Sequence, residues 1–323
     1  MASPETWPNP VTTRSQVMLA IALDLVADDN DVSLRQAKVQ LKEQGRGDWN
    51  LTLFGSGSFD GVDAVVKRAA DLAIINPANG LMMAYTGIGP YTTPQPVRQI
   101  SVIPSLDQFL LTVRPELGLA ALEDIPKKKP RLVFALRGQR EHCMNIILED
   151  VFAAAGFSFE DISRWGGEVR YEAVLPWPDT PKFRDAVEGR TNALIDEGAD
   201  AWGNQAIDSG MVVLTMAEET VQKLEARGYR RGVLRTSVFP KLEQDVLSVD
   251  FSGWPIICHP ELDDAKVRRI CAALEVNAHL IEWQGDGPLP VPRMCREADD
   301  TPQLVPYHPA AERFWRERGY LGR

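Results

Sequence analysis

The stretch from Asn50 to Asn76, NLTLFGSGSFDGVDAVVKRAADLAIIN, leaves this chain the fewest ways to fold. An apolar run, Trp49 to Phe54, ends in a turn of glycine and serine. Val62, Val65, Val66 and Ala69 then recur at helical spacing, which predicts a helix over Asp60 to Ala70. Asp71 to Asn76 is a short apolar run of the kind that fills a strand buried on both faces. Strand, helix and strand in so short a span predict a right-handed α/β unit.

The neighbouring sequence extends that unit. Gln16 to Val26 reads as a buried strand, and Ser33 to Gly45 as a helix capped by Ser33, with Leu34, Ala37, Lys38 and Leu41 at helical spacing. Gln99 to Val113 predicts two strands, after which the pattern restarts. Pro130 to Leu136 is a strand, Cys143 to Gly156 a helix, Arg170 to Leu175 a strand. Ala193 to Asp196 and Met211 to Met216 are further strands separated by a helix. Trp254 to Cys258 predicts a strand, Asp263 to Asn277 a helix, and the tail a helix with Phe314 and Trp315 on its apolar side. A second α/β lobe thus begins near Pro115.

Composition excludes several classes. At 44% hydrophobic and 25% charged, the 323 residues describe a globular protein with two lobes' worth of chain. A net charge of −10 and no long basic run argue against a nucleic-acid partner. Cys143, Cys258, Cys271 and Cys295 match no zinc spacing and are too sparse for a disulfide scaffold, so they read as buried thiols. The apolar segment Val17 to Ala27 is interrupted by Asp24 and has no small-residue cleavage site. The chain as given is therefore expected in the cytoplasm, or in the periplasm if a leader has been removed.

Three turns carry candidate chemistry. GSGSFDG, Gly55 to Gly61, misses the dinucleotide spacing by one residue and lacks the Gly-Lys-Ser/Thr of a P-loop. Ser56, Gly57 and Ser58 instead sit at a helix N-terminus, where free N–H groups suit a carboxylate; the alternative is that Ser58 caps the helix. In FALRGQREHC, Arg137 and Arg140 flank a second helix start with Gln139 between them. Cations there conflict with the helix dipole unless an anion joins them, or unless they point into solvent. His142 beside Cys143 suggests a nucleophilic pair, although sequence neighbours on a helix do not face each other. In LIDEGADAWGNQ, Glu197 suits an amino group and Trp202 an apolar wall; capping and packing are the alternative.

These pieces in this order resemble the TAXI-type solute receptors of TRAP transporters. LFGSGSFDGVDAVVKRAADLAIIN, EGRTNALIDEG and the tail VPYHPAAERFWRERGYL carry the likeness, over most of Trp49 to Leu321. The resemblance implies an α/β, two-lobed type 2 periplasmic-binding-protein fold with a central ligand cleft and two crossing hinge strands. It places residues 1–113 with 250–323 in one lobe and 114–249 in the other. It implies hinge closure on a small organic acid or amino acid, with TRAP membrane subunits as partners. On that reading the three turns meet, and the ligand-binding set is Ser56, Gly57, Ser58, Asn76, Arg137, Gln139, Arg140, Glu197 and Trp202. No residue is assigned a catalytic role, and neither metal nor cofactor is expected.

Two family loops are altered here. The glycine-rich loop after the first strand is LVADDNDVSLRQ, and that of the second lobe is LRGQREH. A changed ligand follows, and with it an alternative: a cytosolic decarboxylase or lyase of an aromatic acid on the same scaffold. Arg137, Arg140, His142 and Glu197 would then bind the acid and move a proton.

Overall fold

The computed structural model describes residues 37–42, 50–55, 58–138, 142–172 and 176–322, together with positions 17 and 19. The chain is a mixed α/β protein built around separate sheets. Strands β1 (Ala37–Lys42), β2 (Asn50–Gly55), β3 (Leu72–Ile74) and β4 (Arg98–Ile103) come first. A second series follows: β5 (Leu110–Val113), β6 (Val133–Arg137), β7 (Glu168–Glu172), β8 (Ala193–Asp196), β9 (Val212–Val213), β10 (Arg230–Leu234) and β11 (Val246–Asp250). The last strand, β12 (Trp254–Cys258), returns to the first sheet, whose order is β1-β2-β3-β12-β4. There β2 and β3 are parallel, as the buried apolar runs predict, with Leu53 opposite Leu72. In the second series β5 lies between β8 and β9, β6 runs parallel to β7, and β10 pairs with β11.

The sequence reading fails at the N-terminal side. Ala37–Lys42, expected as helix, is an edge strand antiparallel to β2, with Lys38 opposite Phe54. Lys38 and Gln40 are exposed while Val39 is half-buried. That alternation serves an edge strand, whose lysines discourage pairing with another chain. Val17 and Leu19, expected in a buried strand, have helical backbone and are 53% and 44% exposed. A continuous apolar run carries no alternation to separate the two states.

The chain passes between the two groups of strands twice, at residues 104–109 and 251–253. The two passages hold each other: Phe109 N donates to Val249 O (2.9 Å), Phe251 N to Asp107 O (2.8 Å) and Gly253 N to Ser105 O (2.9 Å). Gly253 has φ +84°, and a Cβ there would stand 2.6 Å from Pro302 Cδ and 2.7 Å from Val102 Cγ1. Both the conformation and the space require glycine. Gly253→Ala is expected to cost about 1–3 kcal/mol, read as a lower urea midpoint at unchanged slope.

Each group of strands has its own core. Phe134, Phe152, Ile147 and Val151 centre one, with helix Cys143–Ala154 against β6. Trp315, Ile100, Cys258 and Cys271 centre another, where helices Asp264–Asn277 and Pro309–Glu317 cover β4 and β12. All four cysteines are buried and outside any disulfide, and burial pushes the thiols of Cys258 and Cys271 up to about 12.

Candidate functional site

Helix Ser58–Val66 starts just beyond the end of β2, as the Gly-Ser turn predicts. Ser56 and Gly57 lie outside the described residues, and Ser58 is the first residue of the helix. Gly61 has a packing reason: a Cβ there would meet Ile75 Cδ1 at 2.9 Å, so glycine lets the helix close on its own sheet. Phe59 stands edge-on to Tyr91, ring centroids 5.8 Å apart. The Tyr91 hydroxyl donates to Asp63 Oδ1 (3.2 Å), and burial followed by the Asp63 charge raises its pKa. Phe59 and Tyr91 both pack against the core that contains Cys143 and Met144.

Asn76 follows β3 at a cis Asn76–Pro77 bond. Its Oδ1 is buried with no hydrogen-bond partner among the described residues. Helix Asn79–Thr86 begins three residues on, without a side-chain cap. Asn79 and Met82 face Gly228, Arg230, Asp250 and Ser252 across a narrow crevice.

Arg137, expected to present its charge to a ligand or to solvent, does neither. It ends β6, is 5% exposed, and grips the end of β8. Its Nε lies 3.0 and 3.1 Å from the two Asp196 oxygens, and its Nη2 donates to Asp196 Oδ1 (2.9 Å) and Glu197 Oε1 (2.7 Å). Lys182 Nζ, also buried, donates to Asp196 Oδ2 (2.7 Å). Burial alone would raise the Asp196 carboxyl, but the Arg137 and Lys182 charges outweigh it and hold it at about 2. Two cations therefore face two carboxylates, and the group is electrically closed. Glu197, expected to take an amino group, is a partner of Arg137 instead.

Trp202 corrects the expectation of a cleft wall. It is 0% exposed, inside a core with Leu110, Phe183 and Phe239. Its Nε1 donates to Glu197 O (2.9 Å), so it supports the turn from behind. Its place on the inner face of helix Ala199–Asp208 follows from the apolar spacing of Ala199, Trp202 and Ala206.

His142 is the N-cap of helix Cys143–Ala154: its Nδ1 accepts from Met144 N (3.2 Å). That ring nitrogen serves the backbone rather than the Cys143 thiol, which is buried. Gln139 and Arg140 lie outside the described residues.

Sequence reasoning missed Asp107, which joins the first crossing strand to the third turn. It is 6% exposed, and its Oδ1 accepts from Gly198 N (2.6 Å). Burial, and then the charge of Glu197, push its carboxyl well above the usual range. Asp250, the last residue of β11, is raised by burial too, although Ser252 Oγ donates to it (2.6 Å) and Arg230 lies 3.1 Å away. A lone acid inside the apolar stretch Gln99 to Val113 was the available signal for Asp107. Lys182 had none, since one lysine on a short polar helix looks like a solvated charge. No group of three His, Cys, Asp or Glu that could hold a metal occurs among the described residues. No described helix is long and apolar enough to cross a membrane.

No curated protein matches the chain. Among solved structures it is similar to a periplasmic transporter, at 15% identity over 82% of this chain and 80% of that one, TM-score 0.37. It is also similar to PhnD1 of Prochlorococcus marinus in complex with methylphosphonate, at 10% identity over 81% and 83%, TM-score 0.39. A third is the substrate binding protein of an amino acid ABC transporter, at 12% identity over 67% and 68%, TM-score 0.28. Likenesses at that level say nothing of ligand or partner. The model of the NMT1-like family matches residues 49–319, from the strand before the Gly-Ser turn to the C-terminal helix. The chain belongs to the NMT1-like family.

Proposed function

We propose that the chain is a binding protein that holds a small organic acid or amino acid between two lobes, residues 1–113 with 250–323 and residues 114–249, and closes around it. In this reading it is a TAXI-type receptor that delivers ligand to TRAP membrane subunits from the periplasm, or a homologue that keeps the same cleft in the cytoplasm. The observation that carries it is the convergence at the crossing strands. Two segments connect the sheets, and Asp107 on one of them is bonded to the turn after β8. A hinge that touches the binding turn is what a closing receptor needs. We prefer binding to decarboxylation because the described candidates for proton transfer have structural duties: His142 caps a helix and Glu197 holds Arg137.

With Arg137 committed to Asp196 and Glu197, the acid falls to the helix start at Ser58 and to Arg140. A thermal-shift panel of small carboxylates on the wild type, Ser58→Ala and Arg140→Ala tests this. A carboxylate at a hundredfold excess over its Kd stabilises by about 2.7 kcal/mol. Both variants are expected to lose most of that shift, and equal shifts in all three proteins would remove these residues from the site.

A further inference from the structure

Among the described residues, one tryptophan is left outside every hydrophobic core. Trp202 and Trp315 are fully buried, and Trp165, Trp254 and Trp283 pack half-buried against the cores. Trp177 is 40% exposed and belongs to none of them. A single exposed apolar side chain is ordinary, but position and stiffness set this one apart. Strands β6 and β7 run parallel with Arg137 opposite Glu172, so both end on the same edge. Asp196, the last residue of β8, is bonded to Arg137 on that edge. The chain leaves β7 after Glu172 and returns in helix Pro181–Val187, whose Lys182 donates to Asp196 Oδ2 (2.7 Å). Trp177 lies between these two anchors, at the carboxyl edge of the strands, where open α/β sheets take their ligands.

The loop that carries it is stiff. PWPDTP, Pro176 to Pro181, holds three prolines, each of which fixes its own φ. Pro178 also confines the backbone of Trp177 to extended conformations. Pro176 is buried, and the Trp177 carbonyl accepts from Thr180 N (2.9 Å) and Thr180 Oγ1 (2.7 Å). A ring on a backbone fixed in advance loses little freedom when a ligand lies on it. The charges of this edge are spent, because Arg137 and Lys182 face Asp196 and Glu197. Asp179, two residues on, is exposed and screened by water. What Trp177 offers is therefore a flat apolar face. A cage for a cation needs further rings, and no second aromatic ring among the described residues meets Trp177.

We propose that Trp177 contacts the ligand and sets its class: the indole face stacks on the ring of an aromatic carboxylate, whose acid group falls to Ser58 and Arg140. This deepens the binding-protein reading above and rests on it. The apolar wall that the sequence suggests at Trp202 passes to a tryptophan that the fold leaves in the open.

The test titrates the full chain with benzoate, cyclohexanecarboxylate and succinate by calorimetry. The wild type is expected to bind benzoate most tightly. Trp177→Ala is expected to bind benzoate about tenfold more weakly and succinate within about twofold of the wild type. Trp177→Phe keeps a ring and is expected to recover most of the benzoate affinity. Both variants are expected to melt as the wild type does without ligand, because the side chain lies outside the cores. A wild type that binds succinate but not benzoate, or a benzoate affinity unchanged in Trp177→Ala, overturns the role of Trp177 and leaves the receptor reading standing. Equal losses for benzoate and succinate overturn it too, since a disturbed loop and not stacking would cause them. Cyclohexanecarboxylate bound as tightly as benzoate overturns the aromatic class and with it the proposal. If none of the three acids binds the wild type, the proposal and the receptor reading fall together.

Discussion

Replacing Arg137 with methionine is expected to lower the unfolding free energy by about 3–5 kcal/mol. The guanidinium is buried and makes four contacts to two carboxylates that water does not reach. Methionine fills similar volume but leaves Glu197 without its Arg137 bond and Asp196 with Lys182 as its described cation. The pH dependence should change with it. Asp196 is held at about 2, below an ordinary carboxylate, so its share of stability is present above the unfolded value and disappears as pH falls toward 2. Without Arg137 that carboxyl rises, and the acid-side loss moves to higher pH. Urea unfolding at pH 7 and pH 4 measures both effects. A loss below about 1 kcal/mol, the scale of an exposed pair, would mean that water reaches the cluster.

Trp202→Ala is the second large effect, again about 3–5 kcal/mol. The ring fills the core between helix Ala199–Asp208, Leu110 of β5 and Phe239. The adjacent Gly203 shows how tight this core is: a Cβ there would stand 2.6 Å from Leu110 Cδ2 and 2.7 Å from Phe239 Cε1. Trp202→Phe separates packing from bonding. It keeps most of the ring and loses the bond to Glu197 O, for about 1 kcal/mol. If Trp202 were a cleft wall instead, the alanine variant would unfold much as the wild type does and lose ligand affinity. Chemical denaturation together with a probe titration tells these apart.

Much of this fold was legible because the relevant patterns are short-range. Helix Cys143–Ala154 and strands β3, β6 and β12 lie where apolar spacing and caps place them. The exception is instructive. Ala37–Lys42 has both a helical spacing of Leu34, Ala37, Lys38 and Leu41 and a strand alternation, and the free edge of β2 selected the second. The local preference differs by tenths of a kcal/mol per residue, which a row of strand hydrogen bonds overrides.

The candidate site divides along the same line. Gly61 was visible as part of a glycine-rich turn, yet its reason lies 2.9 Å away on Ile75. Arg137 was singled out correctly as a charge at a strand end, but its partners Asp196 and Glu197, at the end of β8, lie some 60 residues off in the chain.

By itself, the sequence determined that this is an α/β chain with strand-end turns of polar residues, because helix and strand periodicities and caps are properties of neighbouring residues. Tertiary structure alone decided which charges are spent on each other. Arg137 was closed off by Asp196 and Glu197, Trp202 went to the core, and Asp107 was set against Gly198 at the crossing. Burial and charge pairing depend on what the fold brings within a few ångströms, and residues distant in sequence carry no local mark of that meeting.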